Sequence, residues 1–175
     1  MHLLIVIGAG ASHDCWLEHI PKPIDHEDLR LPLANLLFSH IPYQNTYLQK
    51  YNLMGLAGTL RNKARMQGQT YDVEVELATI YNEANTRKDY NGLQNLFKAR
   101  FYLHSLITNL TQLTLEHTYS HTVYVDLLNK LKDWIDQSPS TRFVDIVVFN
   151  YDNLLEKAME NVYNYDWQSK KTSRH

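Results

Sequence analysis

Two short segments, far apart in the chain, carry residues whose types could act on a nucleotide. The first is Leu3-Leu4-Ile5-Val6-Ile7-Gly8-Ala9-Gly10-Ala11-Ser12, an apolar run that stops at a glycine pair. Glycines just past a buried strand let backbone N–H groups approach a diphosphate, with a helix start behind them. The second segment, Phe143 to Phe149, is again apolar and delivers Asn150-Tyr151-Asp152. In open α/β sheets ligands sit outside the carboxyl ends of the strands. If the two runs are parallel neighbours, the glycine turn and Asn150/Asp152 face one crevice. Each residue also has a structural use. Asp152 can cap the helix that follows, accepting from the N–H of Leu154 or Leu155. Asn150 can satisfy loose backbone groups at a strand end.

The glycine turn begins as a dinucleotide fingerprint, but His13 stands where the third glycine would allow close helix–strand packing. Such enzymes also place an acid at the end of a second strand about twenty residues on. Here that stretch is interrupted by Pro21 and Pro23, and Asp25, Glu27 and Asp28 have no strand context. This argues against an ordinary dehydrogenase or flavin enzyme, and it leaves NAD and NADP undistinguished. A strand-to-helix turn that binds nothing is the structural alternative.

Other chemistry-bearing residues are less pointed. His117 and His121 have the i, i+4 spacing of metal ligands, with no third ligand at a telling distance, and they read as solvated or capping side chains. His13, His19 and His26 cluster after the turn with Asp14 and Asp25, where they could line or gate a pocket or simply make a polar loop. Cys15 lacks a Cys-x-x-Cys partner and reads as a small buried residue. Glu74, Glu76 and Glu83 read as the wet face of an amphipathic helix.

The elements that would position these groups follow from periodicity. Both apolar runs are short and rich in branched residues, as in buried parallel strands. Pro32 suits a first helical turn ahead of Leu33, Leu36 and Leu37. Residues 43 to 66 read as partly helical, broken near Gly55 and Gly58. Asp72 is an N-cap for a helix with Val73, Leu77, Ile80, Tyr81 and Ala84 on one face. Asn91-Gly92 ends that region. A long helix with Leu93, Leu96, Phe97, Leu103, Leu106, Ile107, Leu110 and Leu113 inward follows. The next runs from about Thr122 to Ile135 with Val123, Leu127, Leu128, Leu131 and Ile135 inward. The last buries Leu154, Leu155, Ala158, Met159 and Val162. The expected fold is α/β, a Rossmann-like parallel sheet with several inserted helices, in a single domain over residues 1–175. Two strands alone make a poor sheet, so the pattern predicts weak strands hidden in the helical regions or an incomplete domain continuing past His175.

Bulk properties narrow the partners. The chain has 175 residues, 44% hydrophobic and 21% charged, which suits a globular domain. A net charge of −2 gives no electrostatic reason for a nucleic-acid or anionic-membrane partner. The one cysteine excludes an intrachain disulfide and a multi-cysteine zinc site, and fits a reduced, cytoplasmic setting. The leading apolar stretch is too short to span a membrane and lacks a basic flank and a cleavage site.

The glycine turn Gly8-Ala9-Gly10-Ala11-Ser12, taken with Phe149-Asn150-Tyr151-Asp152-Asn153-Leu154-Leu155-Glu156, resembles the sirtuin-like family. The likeness is greatest to its NAD-hydrolysing branch, found in bacterial anti-phage defence and related effectors. Val73-Glu74-Val75-Glu76-Leu77 is similar to an acidic helical segment between the two motifs there. The resemblance implies that Gly8, Ala9 and Gly10 contact the NAD diphosphate, with Ser12 near the phosphates or a ribose. It implies that Asn150 orients the nicotinamide ribose and the attacking water, and that Asp152 holds the nicotinamide end. NAD would be the substrate, with no metal required. Family members also use a histidine downstream of the Asn motif, and the single one here is His175. Protein-deacylating sirtuins carry a four-cysteine zinc module and an Ile-Pro-Asp-Phe-Arg-type stretch, both absent, which argues against deacylation. The resemblance predicts cleavage of NAD to nicotinamide and ADP-ribose, triggered through a sensor partner or homo-oligomer in an intact system. A module that senses NAD or ADP-ribose without turnover is the alternative, and a helical interaction domain with a merely structural glycine turn is a third.

Overall fold

The computed structural model describes residues 1–18, 27 and 29–164. His19, His26, Asp25, Asp28, both loop prolines and His175 lie outside the described residues, as does the tail from Tyr165. Chain contacts divide the molecule into two compact units, Met1–His26 with Thr111–His175, and Glu27–Leu110. The described residues form a mixed α/β structure, mostly helical, with a two-stranded parallel sheet and seven α-helices.

The first unit holds the sheet. β1 (His2–Gly8) and β2 (Phe143–Phe149) pair in parallel along their full length, from His2 opposite Phe143 to Gly8 opposite Phe149. Between the two strands, β1 runs into α1 (Ala9–His13), and α6 (Val123–Asp136) leads back to β2. α7 (Leu154–Tyr163) follows β2 and packs against α6. Alternation along the strands makes two faces. Val144, Ile146 and Val148 point into an open apolar cavity of ≈ 710 Å³ whose other walls are Leu131 of α6 and Leu155 and Met159 of α7. On the opposite face Leu4 (63% exposed), Val6 (61%), Val147 (40%) and Phe149 (70%) have no covering layer among the described residues.

The helical regions conceal no strand among the described residues, so the sheet is limited to two strands there. α6 departs from expectation by a small rotation. Its buried residues are Tyr124, Val125, Leu128 and Leu131, while Val123 is exposed. The cause lies at its N-terminus, where the Val123 N–H donates to the Cys15 carbonyl at 3.0 Å and Trp16 bridges Thr122. Cys15 is buried, as the sequence indicates.

The second unit is helical. Leu33, Leu36 and Leu37 do not make an α-helix; a single 3-10 turn spans Ala34–Leu36. The helical stretch that follows is two helices, α2 (Pro42–Lys50) and α3 (Met54–Gln67). The break falls at Tyr51–Leu53, not at Gly55 and Gly58, which lie inside α3. Asn52 takes φ 54, and Leu53 N–H reaches back to the Leu48 carbonyl at 2.8 Å. Asparagine tolerates the left-handed region, so it ends a helix as glycine does.

α4 (Val73–Arg87) starts at Asp72, whose carboxylate accepts from Glu74 N–H at 2.9 Å and Val75 N–H at 3.2 Å. Glu76 is not on the wet face. It is buried, bonded to Lys63 and, at 2.6 Å, to Gln67, and those hydrogen bonds, Lys63's first, lower its pKa. Asn91-Gly92 does not end α4. Lys88 does so at φ 56, and Asp89 then caps α5 (Tyr90–His117) by accepting from Asn91 and Gly92 N–H at 3.1 Å each. A Cβ on Gly92 would stand 2.6 Å from Asp89 Oδ2, so a larger residue there would push the capping carboxylate aside. Ala99, Tyr102, Leu106 and Leu110 form the buried side of α5, whereas Phe97 is 60% exposed, against expectation.

Candidate functional site

The sequence places Gly8, Ala9, Gly10 and Ser12 on one turn and Asn150 and Asp152 on another, and the parallel pairing ends both on one rim of the sheet. Gly8 lies opposite Phe149, so α1 and Asn150 leave the sheet side by side. The Asn150 amide Nδ2 donates to Ser12 Oγ at 2.7 Å and to Tyr124 Oη at 3.0 Å. Ser12 Oγ and Tyr124 Oη are themselves 2.7 Å apart. Ser12 and Tyr124 are 1% and 2% exposed and Asn150 is half-buried, so this triangle is a largely shielded polar network.

Proton counting gives the triangle its character. Three contacts need three protons. With Nδ2 facing the hydroxyls, the amide supplies two and one hydroxyl supplies the third. The flipped amide would leave two protons for three contacts, so the orientation with Nδ2 inward is the one that satisfies them. Two consequences follow. One hydroxyl proton, of Ser12 or Tyr124, is not used inside the triangle. Asn150 Oδ1 is turned away from it and is shut off from solvent without a hydrogen-bond partner among the described residues. A buried amide oxygen left unpaired costs about 1–3 kcal/mol.

Burial raises the Tyr124 phenol pKa, and the nearby Asp152 charge adds to this against the lowering effect of Ser12 and Asn150. Tyr124 therefore stays protonated, and the triangle has no group that takes up a proton near neutral pH. Asp152 Oδ1 accepts from Leu154 N–H at 3.0 Å, the capping role the sequence indicates, although Asn153 is the residue that leads into α7. Gly8 and Gly10 are not demanded by the chain's own packing. Beyond chain neighbours and the local helix backbone, a Cβ built on either meets no atom of the described residues within 4 Å, and neither has a positive φ.

Tyr124 is the site residue that sequence reasoning missed. Its spacing to Leu128, Leu131 and Ile135 fits a buried helical face as well as the spacing from Val123 does, so the signal was present in the periodicity. Of the other candidates, His117 ends α5 with its ring 6.1 Å from that of Trp16, and His121 lies in the loop beyond. Among the described residues no three His, Cys, Asp or Glu side chains come together as metal ligands. No described helix is long and apolar enough to cross a membrane.

Fold and site together define a mostly helical α/β protein whose two parallel strands end in a shared serine–tyrosine–asparagine cluster. Compared with protein-family models, curated proteins and solved structures, the chain matches none.

Proposed function

We infer that the chain is the NAD-binding part of a sirtuin-like effector domain that hydrolyses NAD to nicotinamide and ADP-ribose, of the kind used in anti-phage defence. The observation that carries this reading is the buried, unpartnered Oδ1 of Asn150, held beside the glycine turn through Ser12. An orphan acceptor suits a ligand group that donates a hydrogen bond, such as a ribose hydroxyl. A ligand bonding Oδ1 must displace the atoms that now cover it. Gly8 and Gly10 leave open space beside α1 where a diphosphate could approach the backbone.

In the hydrolysis a water oxygen bonds C1′ of the nicotinamide ribose as the glycosidic C–N bond breaks. The bonding electrons neutralise the nicotinamide ring, and the water proton passes to solvent. The sugar becomes oxocarbenium-like in between. Because the leaving group departs neutral, the chain's contribution is placement and dipoles rather than acid catalysis. Asn150 supplies a dipole without adding charge. In the finer fold reading, the sheet belongs to a Rossmann-like layer, and its uncovered face with Leu4, Val6 and Phe149 is where such a fold carries its second layer of helices.

One observation favours a second reading, a module that binds NAD or ADP-ribose without turnover. The triangle contains no group that accepts a proton near neutral pH, since Tyr124 is held protonated by burial. Calorimetric titration with NAD, followed by chromatography for released nicotinamide, separates the readings. Turnover that is lost in Asn150→Ala while NAD still binds supports the hydrolase. Binding without turnover supports the sensor, and neither binding nor turnover leaves the glycine turn a structural feature.

A further inference from the structure

We propose that Tyr124 is the positioning residue of this site, locking the Asn150 amide with Nδ2 inward so that Oδ1 is the atom left over for a ligand. Its functional role rests on the reading of Asn150 as a ligand-facing residue; its structural role does not. Three observations converge on it. The Tyr124 hydroxyl contacts both other members of the triangle, at 2.7 Å to Ser12 and 3.0 Å to Asn150. Its ring is buried on the inner side of α6 in line with Leu128 and Leu131, so the hydroxyl is carried on a packed helix rather than a loop. That helix is pinned at its first turn to the residues just after α1, by Val123 N–H on the Cys15 carbonyl. Tyr124 thus contacts the glycine turn's helix and the end of β2 from α6, adding to the direct Asn150–Ser12 and Val123–Cys15 bonds.

The amide orientation depends on this hydroxyl by count. Without Tyr124 Oη, one Nδ2 proton loses its acceptor and Ser12 alone remains. Ser12 can then accept from Nδ2 or donate to Oδ1, so both flips of Asn150 become equally satisfied. The tyrosine oxygen is what breaks that degeneracy.

Nuclear magnetic resonance of the full chain tests this directly, with the Asn150 side-chain NH₂ pair assigned by its loss in Asn150→Ala. Tyr124→Phe keeps the ring and removes the oxygen. The expected result is solvent exchange of the Asn150 NH₂ protons about tenfold faster, the loss of one hydrogen bond's protection. In the unsubstituted chain the same protons should show contacts to the Tyr124 ring, a reading that survives even if the variant fails to fold. If the chain turns over NAD, Tyr124→Phe should lower kcat about tenfold or more with KM changed less than about threefold. An unchanged Asn150 exchange rate in a folded Tyr124→Phe, or no ring contact in the unsubstituted chain, overturns the assignment. An unchanged kcat in a turnover-competent chain overturns its functional half. A chain without turnover whose Asn150 protons still loosen in Tyr124→Phe removes the proposed hydrolase and keeps Tyr124 as the residue that positions Asn150.

Discussion

Gly10→Ala separates the two uses a glycine can have at this turn. Gly10 lies inside α1, has no positive φ, and a Cβ built on it meets no atom of the described residues within 4 Å outside its neighbours and the backbone of α1. For the chain alone, alanine is therefore the better residue. It should stabilise the fold by about 0.4–1 kcal/mol, through reduced freedom of the unfolded chain and a higher helix propensity. At this chain length that corresponds to roughly 2–4 °C in Tm per kcal/mol. If a diphosphate approaches the backbone here, the methyl group occupies its space, and NAD affinity should fall at least about tenfold, or 1.4 kcal/mol. Thermal melting by circular dichroism and calorimetric NAD titration on the same preparation measure both. A higher Tm with unchanged NAD affinity would refute the glycine turn as a ligand contact. A lower Tm would mean that the open space beside Gly10 is used by the fold itself.

Two further outcomes concern stability. Asp72→Ala removes the acceptor for the Glu74 and Val75 N–H groups and should cost about 1 kcal/mol, read as a lower urea midpoint with an unchanged m-value; an unchanged midpoint would deny the cap any weight. Burial raises the pKa of the Tyr71, Tyr102 and Tyr124 phenols, so the folded chain keeps protons that the unfolded chain loses above about pH 10. Stability from this source is intact below that pH and declines as pH rises through the raised values. Urea midpoints at pH 9 and pH 11 should therefore differ, the second being lower, and equal midpoints would contradict the burial of these rings.

Local signals in the chain were sufficient for local structure. Asp72 caps α4 and Asp152 bonds the Leu154 N–H, because each contact reaches only a few residues along the chain; the two apolar runs are strands as well, although they form a sheet only by pairing with each other across the chain. The adjacency of the glycine turn and Asn150 could be anticipated too, since parallel strands bring their carboxyl ends to one rim. Where the reading failed, a nearby alternative had the same local pattern. Asn52 and Lys88 end helices in the left-handed region that was assigned to glycines, and Asn91-Gly92 begins a helix because Asp89 caps it. Glu76 is buried because Lys63 and Gln67 of another helix reach it, which no spacing within α4 reveals.

The site shows the same division. Residue types and order were enough to single out Gly8, Gly10, Ser12 and Asn150. Only the tertiary structure added Tyr124 and turned the Asn150 amide so that its oxygen is left over. A side chain's hydrogen-bond partners are set by which helix face turns inward, and on α6 that was decided by the Cys15–Val123 and Trp16–Thr122 backbone contacts across more than a hundred residues of chain. Periodicity allows two neighbouring faces for such a helix, and long-range contact selects one.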